Sequence, residues 1–214
     1  SCTEIYSIIF CRTRRETQKI CEKLIEDGYS SGALHGDLSQ NQRDLVMKSF
    51  RIKQIKILVA TDVASRGIDV ENITHIIHYK IPDEVEIYNH RSGRTGRASN
   101  KGMSVLFVTS SDKRKIKSIE NKLKIKIKSR DLPSKNEVFE NQIKAYFDKI
   151  LKTPINEDIE PFLSTINQDL SIISKEDLIA KITSLEFERK LNALKQDDIN
   201  KSDNNFIFLK PLYI

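Results

Sequence analysis

The stretch KILVATDVASRGID, residues 56–69, joins the pattern of a buried strand to a turn that is rich in polar groups. After the initial lysine, residues 57–60 are all apolar, as in strands that are covered on both faces of a sheet. Thr61 and Asp62 follow where a helix would start, and backbone amides at such a position can hold an anion. Gly67 permits a turn and a close backbone approach before Asp69. A helix cap by Thr61 and Asp62 explains the same residues without a ligand.

Short apolar runs of this kind alternate with helical patterns through the first 110 residues or so. Because parallel strands need crossover connections, this alternation predicts a parallel sheet with helices on both faces. Ligands gather at the carboxyl ends of the strands in such sheets, so Thr13, Gly36 and Asp62 should share one edge. The predicted strands are 6–11, 31–35, 56–60, 75–79 and 103–108, and the predicted helices run from the Thr13–Glu16 capping box to Gly28, over 39–50, and through Ile87 and Tyr88.

The stretch 33–50, ALHGDLSQNQRDLVMKSF, carries a cation near the start of a predicted helix, where the helix dipole disfavours positive charge. Ser39 caps the predicted helix, and Arg43 then falls in the first turn. An anion bound near that turn would explain the charge, and an ion pair with Asp37 or Asp44 is the alternative.

The octet HRSGRTGR, residues 90–97, repeats arginine at every third position, Arg91, Arg94 and Arg97, with two glycines between them. In an exposed helix, like charges at this spacing repel, and each glycine costs about 1 kcal/mol against alanine. A phosphate ligand resolves both costs, because guanidinium groups bind phosphate in a bidentate manner and glycine allows close approach. A solvated basic turn is the alternative.

The net charge of +6 in 214 residues is unevenly distributed. Residues 1–134 carry 25 Lys and Arg against 16 Asp and Glu, whereas residues 135–214 carry 11 against 14. The first part is therefore expected to attract an anionic partner such as nucleic acid, and the change in charge marks a candidate domain boundary. No apolar run approaches the roughly 20 residues of a membrane span, and no secretory leader is recognisable, which predicts a cytoplasmic protein without a membrane partner.

Beyond Pro133 the pattern predicts helices alone, over 140–151, 159–170 and 174–191. A unit of about 60 residues is marginal by itself, so the helices are expected either to pair with a second copy or to cover the first domain. Residues 195–205 are polar and predict a linker, and the apolar run FIFLKPLYI that follows predicts a strand with no later partner, as in a truncated chain. The three cysteines, Cys2, Cys11 and Cys21, lack metal-ligand spacing and are expected to be reduced thiols.

Four stretches together resemble, in order, the motifs of the second RecA-like domain of a superfamily 2 DEAD-box RNA helicase. They are IIFCRTR at 8–14, ALHGDLSQNQR at 33–43, ATDVASRGID at 60–69 and HRSGRTGRA at 90–98. The resemblance implies an α/β fold, a RecA-like parallel sheet with helices on both faces followed by a small all-α appendage. The expected domains are 1–134 for the RecA-like part, 135–194 for a helical segment similar to the dimerisation domain of the bacterial cold-shock DeaD-like branch, and 195–214 for a linker and the start of a truncated segment.

The resemblance also assigns roles to individual residues. Arg94, Arg97 and His90 are implied to be catalytic, the two arginines as fingers toward the γ-phosphate of ATP and His90, with Arg91, in coupling to the partner domain. Asp69, Arg91 and Gly67 are implied on the nucleotide side. The positions implied to hold the backbone of single-stranded RNA are Thr13, Gly36, Gln40, Arg43, Thr61, Asp62 and Gly67.

The glycines of this chain do not fall in the G-x-x-x-x-G-K-[ST] spacing of a phosphate-binding loop. The resemblance therefore implies that ATP and its Mg²⁺ are held by an N-terminal RecA-like domain of the same protein, and that this chain hydrolyses no ATP alone. His35 and His90 lack a second histidine at metal spacing, so no metal site is predicted. Two other functions stay open: a stand-alone RNA-binding or assembly module, and a DNA-directed superfamily 2 enzyme, because backbone contacts do not separate RNA from DNA.

Overall fold

The computed structural model describes residues 5–65, 68–96, 102–197 and 207–210, and within these ranges seven strands form one sheet. The strands are β1 Ser7–Cys11, β2 Ser31–Leu34, β3 Ile57–Thr61, β4 His75–His78, β5 Met103–Val108, β6 Lys128–Asp131 and β7 Ile207–Lys210. Their spatial order is β2-β3-β1-β4-β5-β7-β6. The first five strands are parallel to one another, which confirms the predicted RecA-like sheet.

The register places the carboxyl ends of the central strands side by side. Cys11 pairs with Thr61, and Leu34 pairs with Ala60. Residues that follow β1, β2 and β3 therefore emerge at one edge of the sheet, as predicted.

Helices cover both faces of this sheet because the central strands carry apolar side chains on both faces. On β1, Ile8 and Phe10 belong to one core cluster, with residues that include Val46 and Phe50 of α2, while Ile9 and Cys11 belong to another, with residues of α1. The helices of this unit are α1 Arg14–Glu26, α2 Gln40–Arg51, α3 Val85–Ser92 and α4 Lys113–Leu123.

The helix starts follow the predicted capping residues. The Thr13 hydroxyl accepts a hydrogen bond from the Glu16 amide at 3.2 Å, and the Glu16 carboxylate reaches the Arg12 amide at 3.0 Å. Ser39 forms a reciprocal capping box with Gln42 at the start of α2. These local contacts fix where each helix leaves the strand-end edge.

The apolar run near the C-terminus corrects one expectation. β7 was expected to lack a partner, but it pairs antiparallel with β5 on one side and with β6 on the other. β6, with the sequence KSRD, was not predicted because all four of its residues are polar and exposed, which gives no period-2 apolar signal. Pairing between distant segments supplied the strand instead.

The chain divides into two compact units, 1–132 with 205–214 and 133–204. The second unit contains α5 Lys135–Lys152, α6 Glu160–Leu170 and α7 Lys175–Asp197. Of its described side chains, Phe187 alone is buried, with its ring 5.5 Å from the rings of Phe139 and Tyr146. The described part of the helical unit therefore has a small core.

No helix in the described part of the chain is long and apolar enough to cross a membrane.

Candidate functional site

The residues predicted to contact RNA surround the ends of β1, β2 and β3. Thr13 is exposed at the cap of α1, two residues beyond β1. Gly36 is exposed two residues beyond β2, where a methyl group would come no closer than 3.8 Å to the Arg14 side chain. Thr61 ends β3 and is mostly buried. The structure thus brings three of the predicted residues to one edge.

Arg43 and Gln40 lie at the start of α2 with different partners from those expected. Arg43 donates from Nη2 to the Ala64 carbonyl at 3.2 Å, so neither suggested ion pair forms. Asp37 pairs instead with Arg14, and Asp44 accepts a hydrogen bond from Gln40 at 2.9 Å. Arg43 therefore connects the first turn of α2 to the segment beyond β3.

The segment after β3 is a single turn and not the helix that the capping pattern suggested. The Ser65 amide donates to the Thr61 carbonyl at 3.0 Å, and the Ser65 hydroxyl donates to the Asp62 carbonyl at 2.8 Å. The Asp62 carboxylate does not cap this turn, because it is bound by Arg91 from α3.

Asp62 and Arg91 form the strongest polar contact of the site. Nε and Nη2 of Arg91 donate to the two carboxylate oxygens of Asp62, each at 2.6 Å. The Arg91 side chain is 6% exposed, and its guanidinium carbon lies 5.0 Å from the centre of the Phe10 ring. The Asp62 side chain is 39% exposed. A residue predicted on the RNA side and one predicted on the nucleotide side are therefore joined by a bidentate ion pair.

A buried polar network, which the sequence did not reveal, lies beneath this ion pair. His78 of β4 is fully buried, with Nδ1 3.5 Å from Nη1 of Arg91 and Nε2 3.2 Å from the Ser104 hydroxyl. The His78 ring stacks on Tyr88 at 4.9 Å, and Ser92 bonds to Ser104 at 2.9 Å. Burial, and secondarily the Arg91 charge, lower the pKa of His78 well below 6.5, so the imidazole is neutral and can accept a hydrogen bond from the guanidinium.

Arg94 lies just beyond α3 and lines a cleft of about 320 Å³. Nη1 of Arg94 donates to the Ile68 carbonyl at 2.6 Å, and the side chain is half-buried. The cleft is lined by Phe10, Asp62, Ser65, Ile87, His90, Arg91 and Arg94. His90 and Asp69 are exposed, and among the described residues Arg94 has no ion pair that would neutralise it. The arginine is held in position while its remaining N–H donors stay available to an anion.

Backbone geometry explains two glycines near this arginine, Gly96 and Gly102. Gly96 has φ of 75°, in the left-handed region. A methyl group on Gly102 would collide with the Thr95 side chain and come within 2.5 Å of the Gly96 amide nitrogen. The entry to β5 is therefore packed directly against the loop that carries Arg94. Two predicted site residues, Gly67 and Arg97, lie outside the described residues.

Two family comparisons cover most of the chain. Residues 4–99 match the family described as helicase conserved C-terminal domain, and residues 138–195 match the family described as probable ATP-dependent RNA helicase, helical domain. The DEAD-box ATP-dependent RNA helicase CshA of Bacillus cereus is 40% identical over 153 residues, which are 72% of this chain and 29% of that protein.

Solved structures agree with these matches. A DEAD box protein from the hyperthermophile Methanococcus jannaschii is 45% identical with a TM-score of 0.54, covering 57% of this chain and 34% of that one. Domain 2 of the DEAD-box helicase Mss116p, solved bound to an RNA duplex, is 32% identical with a TM-score of 0.52, covering 57% of this chain and 49% of that one.

The chain belongs to the DEAD-box RNA helicase family. This confirms the resemblance seen in the four motif stretches, and the match to the helical domain extends it to the second unit. The chain spans 29% of the length of the CshA relative.

The DEAD-box family implies ATP and Mg²⁺, and the donors in the cleft suit one part of that ligand. Guanidinium N–H groups of Arg94 and the imidazole of His90 can donate to phosphate oxygens. The Asp62 carboxylate is already occupied by Arg91. Within the described ranges, no cluster of three or more His, Cys, Asp or Glu side chains could hold a metal ion. The donors of the cleft fit a phosphate group.

Proposed function

We propose that this chain is the C-terminal core domain of an ATP-dependent RNA helicase. It supplies arginine fingers to ATP that is held by an N-terminal RecA-like domain, and it forms half of the groove that grips single-stranded RNA. The observation that carries the proposal is the position of Arg94, half-buried in a cleft, anchored to the Ile68 carbonyl and adjacent to the strand-end edge.

The roles of the residues follow from their donors. ATP with Mg²⁺ supplies the reactive phosphoryl group. Arg94 and Arg97 are proposed to donate to oxygens of that group, where an arginine finger is worth roughly 10³ to 10⁵ in rate. His90 is proposed to couple this site to the partner domain. Asp69 and Gly67 are proposed on the nucleotide side, and the buried Arg91 is proposed to hold Asp62 and the end of α3 in register rather than to bind nucleotide freely.

The RNA-binding residues are proposed to be Thr13, Gly36, Gln40, Arg43, Thr61, Asp62 and Gly67. Hydroxyls, amides and one cation at a strand-end edge suit phosphate and sugar contacts, which position a strand without reading its sequence. The Mss116p domain, solved with an RNA duplex, supports RNA as the ligand.

Supplying the N-terminal domain of a relative tests the proposal. The N-terminal RecA-like domain of Bacillus cereus CshA would be mixed with this chain, and phosphate release would be measured with and without a single-stranded RNA. We expect RNA-dependent ATPase from the mixture, none from this chain alone, and a loss of at least 10²-fold in Arg94→Ala. The matched control is Arg51→Ala, which removes an exposed arginine on α2.

The same mixture separates the alternatives. A stand-alone RNA-binding module would bind RNA equally with and without the N-terminal domain and would restore no ATPase. A DNA-directed enzyme would be stimulated equally by single-stranded DNA. The CshA C-terminal domain, supplied in the same way, serves as the positive control.

We also propose that the helical unit, residues 135–194, forms a homodimer. Large apolar side chains of this unit are unusually exposed, with Leu151 at 83%, Ile155 at 81%, Phe162 at 62% and Ile172 at 90%. Light scattering over a concentration series should give twice the monomer mass, and Phe162→Glu with Ile172→Glu should return the monomer mass. A monomer at all concentrations, with these side chains protected from labelling, would favour packing on the chain's own first domain.

A further inference from the structure

The positive charge of the first unit is concentrated outside the candidate site. Residues 113–130 carry nine Lys and Arg against one acidic residue, Glu120. The remainder of residues 1–134 carries 16 Lys and Arg against 15 Asp and Glu. Nearly all of the excess that predicted an anionic partner therefore lies on α4, on the segment that leads into β6, and on the first three residues of β6.

These cations form a surface that we call the basic ridge. On α4, Ile119 is buried and Ile116 and Leu123 pack against the same core cluster; beyond the helix Ile125 and Ile127 do likewise. The alternating lysines consequently face solvent. The ridge comprises the exposed residues Lys113, Arg114, Lys117, Lys124, Lys126, Lys128 and Arg130.

The ridge is electrostatically unfavourable as it stands. Two neighbouring lysines have carboxylate partners, Lys115 with Asp83 and Lys122 with Glu86. None of the seven ridge residues has an ion pair within the described part of the chain. The first turn of α4 contains no acidic residue, so its cations oppose the helix dipole, and Lys113 repels Lys117 one turn later. A bound polyanion would relieve both penalties.

We propose that the basic ridge is a second RNA-binding surface, which holds phosphates of a strand that extends beyond the groove at the ends of β1, β2 and β3. This inference rests on the proposed function for the identity of the polyanion. The ridge presents charge alone, because none of the large exposed apolar side chains of the described residues falls in 113–130. A protein partner would need a largely apolar contact core, whereas phosphate binding needs only cations.

The ridge is continuous with the predicted RNA edge. Arg12, which precedes Thr13, donates to Asp83 at 2.8 Å, and the other oxygen of Asp83 is bound by Lys115 of α4. A strand leaving Thr13 therefore meets the start of α4. On β6, Lys128 and Arg130 are two residues apart, which places them about 6.6 Å apart along the strand, so these cations form a row and not a point site.

Protection of a sheet edge explains part of the ridge and leaves the rest unexplained. Lysines on an edge strand discourage pairing between copies, which accounts for Lys128 and Arg130 on β6. It does not account for Lys113, Arg114 and Lys117 on a helix. RNA binding accounts for all of them.

The test is a salt series with matched variants. The ridge variant is Lys124→Gln, Lys126→Gln, Lys128→Gln and Arg130→Gln in the 214-residue chain. The control variant makes the same change in net charge at four exposed lysines of the helical unit, Lys144, Lys149, Lys152 and Lys181. Binding of a labelled 20-nucleotide oligouridine is followed by fluorescence anisotropy from 50 to 200 mM salt, and circular dichroism checks that each variant is folded.

We expect the ridge variant to weaken binding about tenfold or more at 100 mM salt, and to reduce the slope of log K against log salt by about 2 to 3, since each single-strand phosphate contact contributes about 0.7. The control should change neither quantity by as much as half of this. Equal slopes in the ridge and control variants would overturn the proposal. The proposal would also be overturned if the ridge variant lost binding to polyglutamate and kept its binding to RNA, because that result would indicate an acidic protein partner.

The ATPase mixture separates this inference from the proposed function. The ridge variant should keep the maximal RNA-stimulated rate and require about tenfold more RNA for half-maximal stimulation. Ridge-dependent RNA binding in a mixture without ATPase would sustain the ridge and refute the arginine-finger proposal. A normal RNA requirement in an active mixture would refute the ridge alone.

Discussion

The bidentate pair between Asp62 and Arg91 should respond asymmetrically to removal of either partner. The perturbations are Asp62→Asn and Arg91→Gln, made singly and together. Arg91 is 6% exposed, while Asp62 is 39% exposed at its side chain. Asp62→Asn leaves a guanidinium that is buried and cannot lose its proton, whereas Arg91→Gln leaves a carboxylate that water can reach.

The magnitudes follow from this burial. Removing one partner of a fully buried ion pair lowers the free energy of unfolding by about 3–5 kcal/mol. Because Asp62 is partly exposed, the loss for this pair should lie toward the lower end of that range. We expect Asp62→Asn to cost about 3 kcal/mol. Arg91→Gln should cost about 2 kcal/mol, of which about 1 kcal/mol is the lost contact with the Phe10 ring at 5.0 Å. The double variant should cost less than the sum by about 1–2 kcal/mol.

Native-state amide hydrogen exchange measures these costs in the sheet unit alone. The amides of β1 and β3 lie in the centre of the sheet and report its opening free energy, independently of the helical unit. A larger loss for Arg91→Gln than for Asp62→Asn would refute the burial argument. An interaction energy below about 0.5 kcal/mol would show that the two side chains do not stabilise each other.

Three further predictions concern other parts of this unit. The folded chain holds His78 with a pKa well below 6.5, so the unfolded chain binds more protons than the folded chain as the pH falls through 6.5. The free energy of unfolding should therefore decrease by up to about 1.4 kcal/mol for each pH unit below that value. In urea titrations between pH 5 and 7.5, His78→Gln should flatten this pH dependence. Gly102→Ala should lower the free energy of unfolding by about 1–3 kcal/mol, because the new methyl group displaces the Gly96 backbone. Gly36→Ala, whose new methyl group would have its nearest atom at 3.8 Å, should leave the urea midpoint of unfolding nearly unchanged. Equal shifts of the urea midpoint in the two variants would contradict the predicted collision at Gly102. Burial, and secondarily the negative charge of Glu16, raise the pKa of the Cys11 thiol to about 12. Iodoacetamide at pH 8 should therefore modify Cys11 only after the chain unfolds, because the thiolate is the reactive form. Rapid labelling of Cys11 in the folded chain, measured by mass spectrometry, would contradict this.

Local signals in the sequence were enough to place the parallel sheet and the edge at which its central strands end. The apolar runs correspond to β1 through β5, and the caps at Thr13 and Ser39 begin α1 and α2. Because parallel strands align their carboxyl ends, the edge that gathers Thr13, Gly36 and Asp62 follows from topology alone.

Contacts between distant residues could not be read from the same signals. Asp62 and Arg91 are 29 residues apart, and a capping residue and a basic turn gave no reason to pair them. The predicted strand 75–79 contains His78, and no local signal indicates that its partners are Ser92 of α3 and Ser104 of β5. Strand β6 carries no apolar alternation, so its existence depends on pairing with β7.

The position of the Asp62–Arg91 pair bears on how the two proposed sites communicate. Asp62 belongs to the turn after β3, beside Thr61 and the Arg43 contact to Ala64. Arg91 precedes Arg94 by three residues, and its guanidinium contacts the ring of His78. A strand bound at the edge and a phosphate bound at Arg94 would therefore act on one connected polar assembly. Coupling between two ligands is reciprocal, so if RNA strengthens nucleotide binding through this assembly, nucleotide must strengthen RNA binding by the same factor, and Asp62→Asn must reduce both.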